Sequence, residues 1–164
     1  MKRSASGSSP RRVRPTSTGI TPAASAWSSN LTLNANLTVP VFTNGLLDLG
    51  GAISGTGGLT KLEPGTLRYS GGVANTYSGN TTVNEGTLEF AKSSIGLAAI
   101  SSGTLTIGDG VGGPSADVVR YFGGQLLLAV GIQINDSGLL DLNGLSDAVG
   151  AVTLVGGRID TGAG

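Results

Sequence analysis

The chain has no cysteine and no histidine. Without cysteine there are no disulfides and no thiolate metal sites. Without histidine the commonest general base and the commonest metal ligand are missing together. Charged residues make up 12% of the 164 and aromatics 4%, whereas a typical soluble domain is about 25% charged. A compact enzyme draws on aromatics to fill its core and on charges to solvate its surface. No run of about 18 apolar residues occurs, so no segment reads as a membrane-crossing helix. What is abundant is glycine, at 29 residues, with serine, threonine and asparagine. That mixture suits short strands joined by many tight turns.

The formal net charge is zero, but the charges are segregated. Lys2, Arg3, Arg11, Arg12 and Arg14 are half of the basic residues, and every acidic residue lies at Asp48 or later. From residue 15 onward five basic residues face ten acidic ones. An acidic body offers no electrostatic footprint for nucleic acid. Residues 1–27 form a Ser/Pro/Arg-rich basic arm without apolar periodicity, which predicts disorder. Two functional readings stand beside that one. The basic cluster could serve as an arm for an anionic surface. The basic start, the Arg11-Arg12 pair and the small residues Ala24-Ser25-Ala26 instead suit a degenerate export signal. Residues 13–23 lack the apolar middle of a signal, because Arg14, two prolines and several hydroxyls interrupt it.

Beyond the arm one short pattern recurs: a glycine, then apolar and polar residues in alternation. It begins at Gly45, Gly65, Gly86, Gly103, Gly124, Gly138 and Gly157. Examples are Gly65-Thr66-Leu67-Arg68-Tyr69 and Gly86-Thr87-Leu88-Glu89-Phe90. The steps are 20, 21, 17, 21, 14 and 19 residues. A coil of two or three strands of about five residues, with short turns, occupies roughly 20 residues. Alternation sends Leu67 and Tyr69 to one face and Arg68 to the other. No single repeat can bury its apolar face alone, so the coils must stack. The prediction is an all-β chain: a right-handed, single-stranded parallel β-helix (β-solenoid) of about 19–20 residues per coil, spanning 28–164 in six or seven coils. Further strands are expected at 31–41, 59–62, 81–84, 118–122, 132–135 and 151–155. Turns are expected at Asn44-Gly45, Ser70-Gly71, Ser78-Gly79 and Asn143-Gly144. Residues 91–99 read as a short helical or irregular excursion. Trp27 either staples the first strand over the first coil or stands exposed.

Residues 55–90 read GTGGLTKLEPGTLRYSGGVANTYSGNTTVNEGTLEF. This stretch resembles the autotransporter-associated β-strand repeat, also called the passenger-associated transport repeat. The resemblance rests on Gly58, Leu59, Thr60, Lys61, Gly65, Thr66, Leu67, Asn75, Thr76, Tyr77, Gly79, Thr81, Thr82, Val83, Gly86, Thr87 and Leu88. Pro64 replaces a usual glycine, and Gly72-Val73 lengthens the turn. The resemblance implies a structural, β-helical passenger or stalk segment of a secreted or surface-displayed bacterial protein, one that aids export and display. It carries no catalytic residues. The location it implies is extracellular or at the outer membrane surface. The last residues, Ile159 to Gly164, look like a repeat that continues, so further coils are expected in a longer chain.

The residues themselves supply no catalytic, cofactor-binding or metal site. The expectation is a non-enzyme with no cofactor, no nucleic-acid partner and no small-molecule substrate. A cell-surface glycan or protein remains a candidate partner, bound as by an adhesin along an exposed Thr81 and Asn84 row. A fragment of a β-helical polysaccharide lyase or hydrolase is the other alternative, because such enzymes cluster carboxylates on a solenoid face. Asp48 and Asp141 occupy equivalent slots, and Arg68 and Glu89 could form a cross-strand ion pair. Isolated solvated charges are the plainer reading of these four. Asp109, in a single Gly-rich loop, resembles a calcium turn only faintly, since that motif works in tandem copies. The Asn-x-Ser/Thr sequons at Asn30, Asn36, Asn80 and Asn135 arise readily in so Ser/Thr-rich a chain.

Overall fold

A computed structural model describes residues 24–123, 127 and 129–162. Among them every regular element is a β-strand. The first coil contains β1 (Ala24–Trp27), β2 (Leu31–Leu33) and β3 (Leu37–Pro40). The second contains β4 (Leu46–Leu49), β5 (Ile53–Gly55) and β6 (Leu59–Leu62). Then follow β7 (Thr66–Tyr69) with β8 (Thr81–Val83), and β9 (Gly86–Phe90) with β10 (Thr104–Ile107). The last coils hold β11 (Asp117–Tyr121) with β12 (Gly131–Asn135), then β13 (Gly138–Asp141) with β14 (Val152–Val155). The final strand is β15 (Arg158–Asp160).

Every strand pairs in parallel with its counterpart one coil away. The seven-stranded sheet runs β1-β4-β7-β9-β11-β13-β15, and the six-stranded sheet runs β3-β6-β8-β10-β12-β14. A two-stranded sheet, β2-β5, starts the third side. The chain is therefore a β-solenoid of about six turns.

Stacking converts the sequence alternation into columns. In the first sheet Leu47, Leu67, Leu88, Val119, Leu140 and Ile159 stand in register. Beside them Leu49, Tyr69, Phe90 and Tyr121 form a second inner column. Its rings pack at centroid distances of 6.2 Å for Tyr69–Phe90 and 5.5 Å for Phe90–Tyr121. Both columns are buried through their middle coils, from Leu67 to Leu140 and from Leu49 to Tyr121. Each side chain of this size contributes about 1.5–3 kcal/mol on full burial. The second sheet supplies the columns Leu59-Thr81-Leu105-Ile132 and Val83-Ile107-Ile134. Burial ends with the last coil: Ile134 is 0% exposed, but Leu154, its partner in the next coil, is 55% exposed.

Glycine is required at corners where backbones of adjacent coils meet. Gly86 has φ +74°, and a Cβ there would lie 2.6 Å from the carbonyl oxygens of Glu63 and Gly65. At Gly79 a Cβ would lie 2.3 Å from the backbone of Gly57 and Gly58.

Several expectations need correction. The basic arm of residues 1–27 lies largely outside the described residues, but Ala24–Trp27 is β1, in register with Leu46–Leu49. The solenoid thus includes 24–27, because an edge strand needs only its backbone ladder and no apolar alternation. Trp27 is 55% exposed. The segment 31–41 bends at 34–36 into β2 and β3, turning a corner. Residues 91–99 form turns and bends, which is the irregular one of the two alternatives read from sequence. The pattern at Gly103 belongs to the other sheet, since β10 pairs with β8 and β12. In the first sheet Gly86-Phe90 is followed by β11. Steps there are 22, 20, 21, 31, 21 and 19 residues, from Ala24 through Leu46, Thr66, Thr87, Val118 and Leu139 to Arg158. The long coil holds both the 91–103 excursion and the 108–116 loop. Of the pattern at Gly124 only Leu127 is described, bridged to Val149.

Candidate functional site

The motif residues occupy defined positions on the coils. Leu59, Leu67, Val83 and Leu88 are inner-column residues, and Gly58, Gly65, Gly79 and Gly86 sit at corners. Thr60, Thr66, Thr82 and Thr87 face outward. The N–H groups of Thr76 and Tyr77 both donate to the Ile53 carbonyl, at 2.7 and 3.2 Å, continuing the third side above β5. The Tyr77 hydroxyl is 2.6 Å from the Thr81 hydroxyl, and both side chains are buried. Thr81 is therefore a core residue, and the exposed Thr81 row anticipated from sequence does not exist. Alternation about Leu59 puts Thr60 outside and its register partner Thr82 with it. The outer column is Thr38, Thr60, Thr82, Thr106, Gln133 and Thr153.

Asparagines tie one coil to the next. Asn30 Oδ1 accepts from the Ala52 N–H at 3.0 Å, Asn36 Oδ1 from Gly58 at 2.9 Å, and Asn80 Oδ1 from Thr104 at 3.0 Å. Asn135 donates to the Gly108 carbonyl at 2.6 Å. The four sequon asparagines thus serve as corner braces. Asn75 does the same inside the core: its Oδ1 accepts from Ile53 N–H at 3.0 Å and its Nδ2 donates to the Ala99 carbonyl at 2.8 Å.

Two lysines are buried beside these corners. Lys61 stands in an inner column between Val39 and Val83. Its ammonium donates to the carbonyls of Leu62 at 2.8 Å, Glu85 at 3.0 Å and Glu63. Burial lowers its pKa to about 8, against the opposing charges of Glu85, Glu63 and Asp117. The Lys92 ammonium donates to the Ser70 carbonyl at 2.7 Å and to Asn75 Oδ1 at 3.0 Å. Burial lowers its pKa also to about 8, opposed by the charge of Asp48. Burial likewise pushes up the Tyr69, Tyr77 and Tyr121 hydroxyls.

The charged slots form one outer column: Asp48, Arg68, Glu89, Arg120, Asp141 and Asp160. Arg68 Nε meets Glu89 Oε2 at 2.6 Å, and Arg120 Nε meets Asp141 Oδ2 at 2.7 Å. Asp48 accepts from the Ser70 hydroxyl at 2.6 Å. Arg68 also lies 5.8 Å from the Phe122 ring centroid. For Arg68, Glu89 and Asp141 the reading of isolated solvated charges is replaced by cross-strand pairs, of which Arg68–Glu89 is the alternative weighed from sequence. Asp48 and Asp141 are four strands apart, about 19 Å at the usual strand spacing. That is too far for the carboxylate pair of a glycosidase, which needs about 5–9.5 Å.

A surface recess of about 500 Å³ lies between Glu85, Asp109 and Val118. Asp109 Oδ1 accepts from the Val111 N–H at 2.8 Å, which folds the glycine-rich loop upon itself. Asp117, buried at the start of β11, has its carboxyl pushed up by burial. Among the described residues no three His, Cys, Asp or Glu side chains are arranged to hold a metal.

Set against known proteins, the chain matches no family model, no curated protein and no solved structure.

Proposed function

We propose that this chain is a structural β-helical passenger or stalk segment of a surface-displayed bacterial protein, where it aids export and holds other parts away from the cell. The observation that supports this reading most is the continuity of the columns. Inner columns, corner asparagines and an outer ion-paired column run through successive coils, so each coil braces the next. In such a stack each coil draws its stability from contacts with its nearest neighbours. The resemblance of residues 55–90 to the autotransporter-associated repeat points the same way.

The test places the full chain between an export signal and a barrel-anchored, folded reporter. Surface accessibility of the reporter to added protease is then measured. The intact solenoid should display the reporter, and Leu67→Asp with Leu88→Asp should reduce display severely. Equal display by the double variant would overturn the proposal.

The outward threonine column favours a second reading, adhesion to a cell-surface glycan or protein. A one-dimensional array of hydroxyls at strand spacing presents repeated donors and acceptors. Glycan-array binding that disappears with Thr60→Ala, Thr82→Ala and Thr106→Ala would select it.

A further inference from the structure

A lysine and an asparagine touch inside the third side of the solenoid. Asn75 is wholly buried, and Lys92 is 4% exposed. The Lys92 nitrogen lies 3.0 Å from Asn75 Oδ1. The carbonyl carbon is one C=O bond beyond that oxygen. The same oxygen accepts from the Ile53 N–H at 3.0 Å, and the amide nitrogen is held by the Ala99 carbonyl at 2.8 Å. The amide is therefore fixed in position, with its carbonyl polarised by the Ile53 N–H.

We propose that Lys92 and Asn75 form an intramolecular isopeptide bond. The neutral lysine amine attacks Cγ of Asn75, making a C–N bond. Negative charge collects on Oδ1, where the Ile53 N–H acts as a preorganised donor. The intermediate collapses by breaking the Cγ–Nδ2 bond. Ammonia leaves, carrying the proton given up by the lysine nitrogen. One amine and one primary amide become one secondary amide and ammonia, so no oxidant or other reactant is needed.

Two features of the site favour the step. Fixed contact replaces a bimolecular encounter, which supplies a large effective concentration. Burial leaves the lysine with a pKa of about 8, so roughly a tenth of it is neutral at pH 7. Lys61 is the internal contrast: its ammonium faces three main-chain carbonyls and no side-chain amide. The link would staple the third coil to the excursion of the fourth.

Mass spectrometry of the purified full chain tests this. The intact mass should fall about 17 Da below that of the sequence, the mass of ammonia. Trypsin should fail to cut after Lys92, giving a product of residues 69–120 in place of 69–92. Lys92→Arg and Asn75→Ala should restore the full mass. Should those variants fail to fold, the digest of the unaltered chain still decides. Complete cleavage after Lys92, with residues 69–92 at full mass, overturns the proposal. A deficit of about 17 Da located instead at Asn44-Gly45 or Asn143-Gly144, as a succinimide would give, overturns it as well.

Discussion

The buried Lys61 ammonium makes stability depend on pH in a defined direction. Its pKa falls from 10.5 to about 8 on folding. Between those values the unfolded chain binds more protons than the native one, so stability rises with pH. Working the linkage from pH 7 to 9.5 gives a gain of about 2 kcal/mol from this one side chain. Lys92 would add a similar amount only in a chain whose amine is not consumed in the isopeptide bond. Above about pH 10 the sign reverses. The Tyr69 and Tyr77 hydroxyls are raised by burial, so they ionise in the unfolded chain first and draw the equilibrium toward it. Stability should therefore climb from neutrality, peak between pH 9 and 10, and then decline, windows that follow from those ordinary and shifted values. Urea titrations followed by far-UV circular dichroism at half-unit pH steps would measure it. Lys61→Met should remove the climb without removing the decline. A stability curve that is flat or falling from pH 7 to 9 would refute the argument, and so would a climb unchanged in Lys61→Met.

Other substitutions test the columns separately. Leu88→Ala empties a fully buried inner slot and should cost about 2–5 kcal/mol in the same titrations. Arg68→Ala removes an ion pair that is partly exposed, with side chains 33% and 12% accessible. Its cost should be under about 1 kcal/mol and should shrink further in 1 M salt, where screening acts within about 3 Å. Gly86→Val forces a β-branched side chain to φ +74° against two carbonyl oxygens. It should cost at least about 3 kcal/mol, or prevent folding, as judged by the thermal melt.

The period-two alternation made much of this architecture readable from sequence. Once Leu59 is inside, Lys61 must be inside too, and Phe90 places Lys92 in the same way. The rule that buried the leucines also buried the lysines. What the pattern could not assign was the sheet. Gly103-Thr104-Leu105-Thr106-Ile107 and Gly86-Thr87-Leu88-Glu89-Phe90 are alike as local strands, yet they lie on different sides of the same coil. Any strand of a solenoid satisfies that pattern, and only counting through the irregular 91–103 and 108–116 segments separates them. Thr81 was misplaced for the same reason. Its neighbour Thr82 has the same side chain, so composition gave no hint of which one faces the core. The lysine–asparagine contact joins residues 17 apart in sequence across a corner, a distance that strand periodicity does not determine.

The placement of the buried polar groups follows from what a solenoid must solve. Its straight sides satisfy main-chain donors and acceptors by pairing with the coils above and below. Its corners cannot, because the chain turns and the ladder breaks. An unsatisfied buried carbonyl or amide costs about 1–3 kcal/mol. Asn36 meets this with a side-chain carbonyl that accepts from the N–H of buried Gly58 in the next coil, and Asn30 and Asn80 make the same contact at exposed corners. Lys61 meets the opposite need, with one ammonium serving three carbonyls drawn from two coils. Its desolvation works against folding, and its hydrogen bonds offset that cost. Asn75 and Lys92 combine the two devices at one corner, which brings an amine against an amide within the core. The same demand that fixes the fold thus creates the one place among the described contacts where a lysine amine meets a side-chain amide, and the chemistry proposed there needs no residue beyond those the corner already requires.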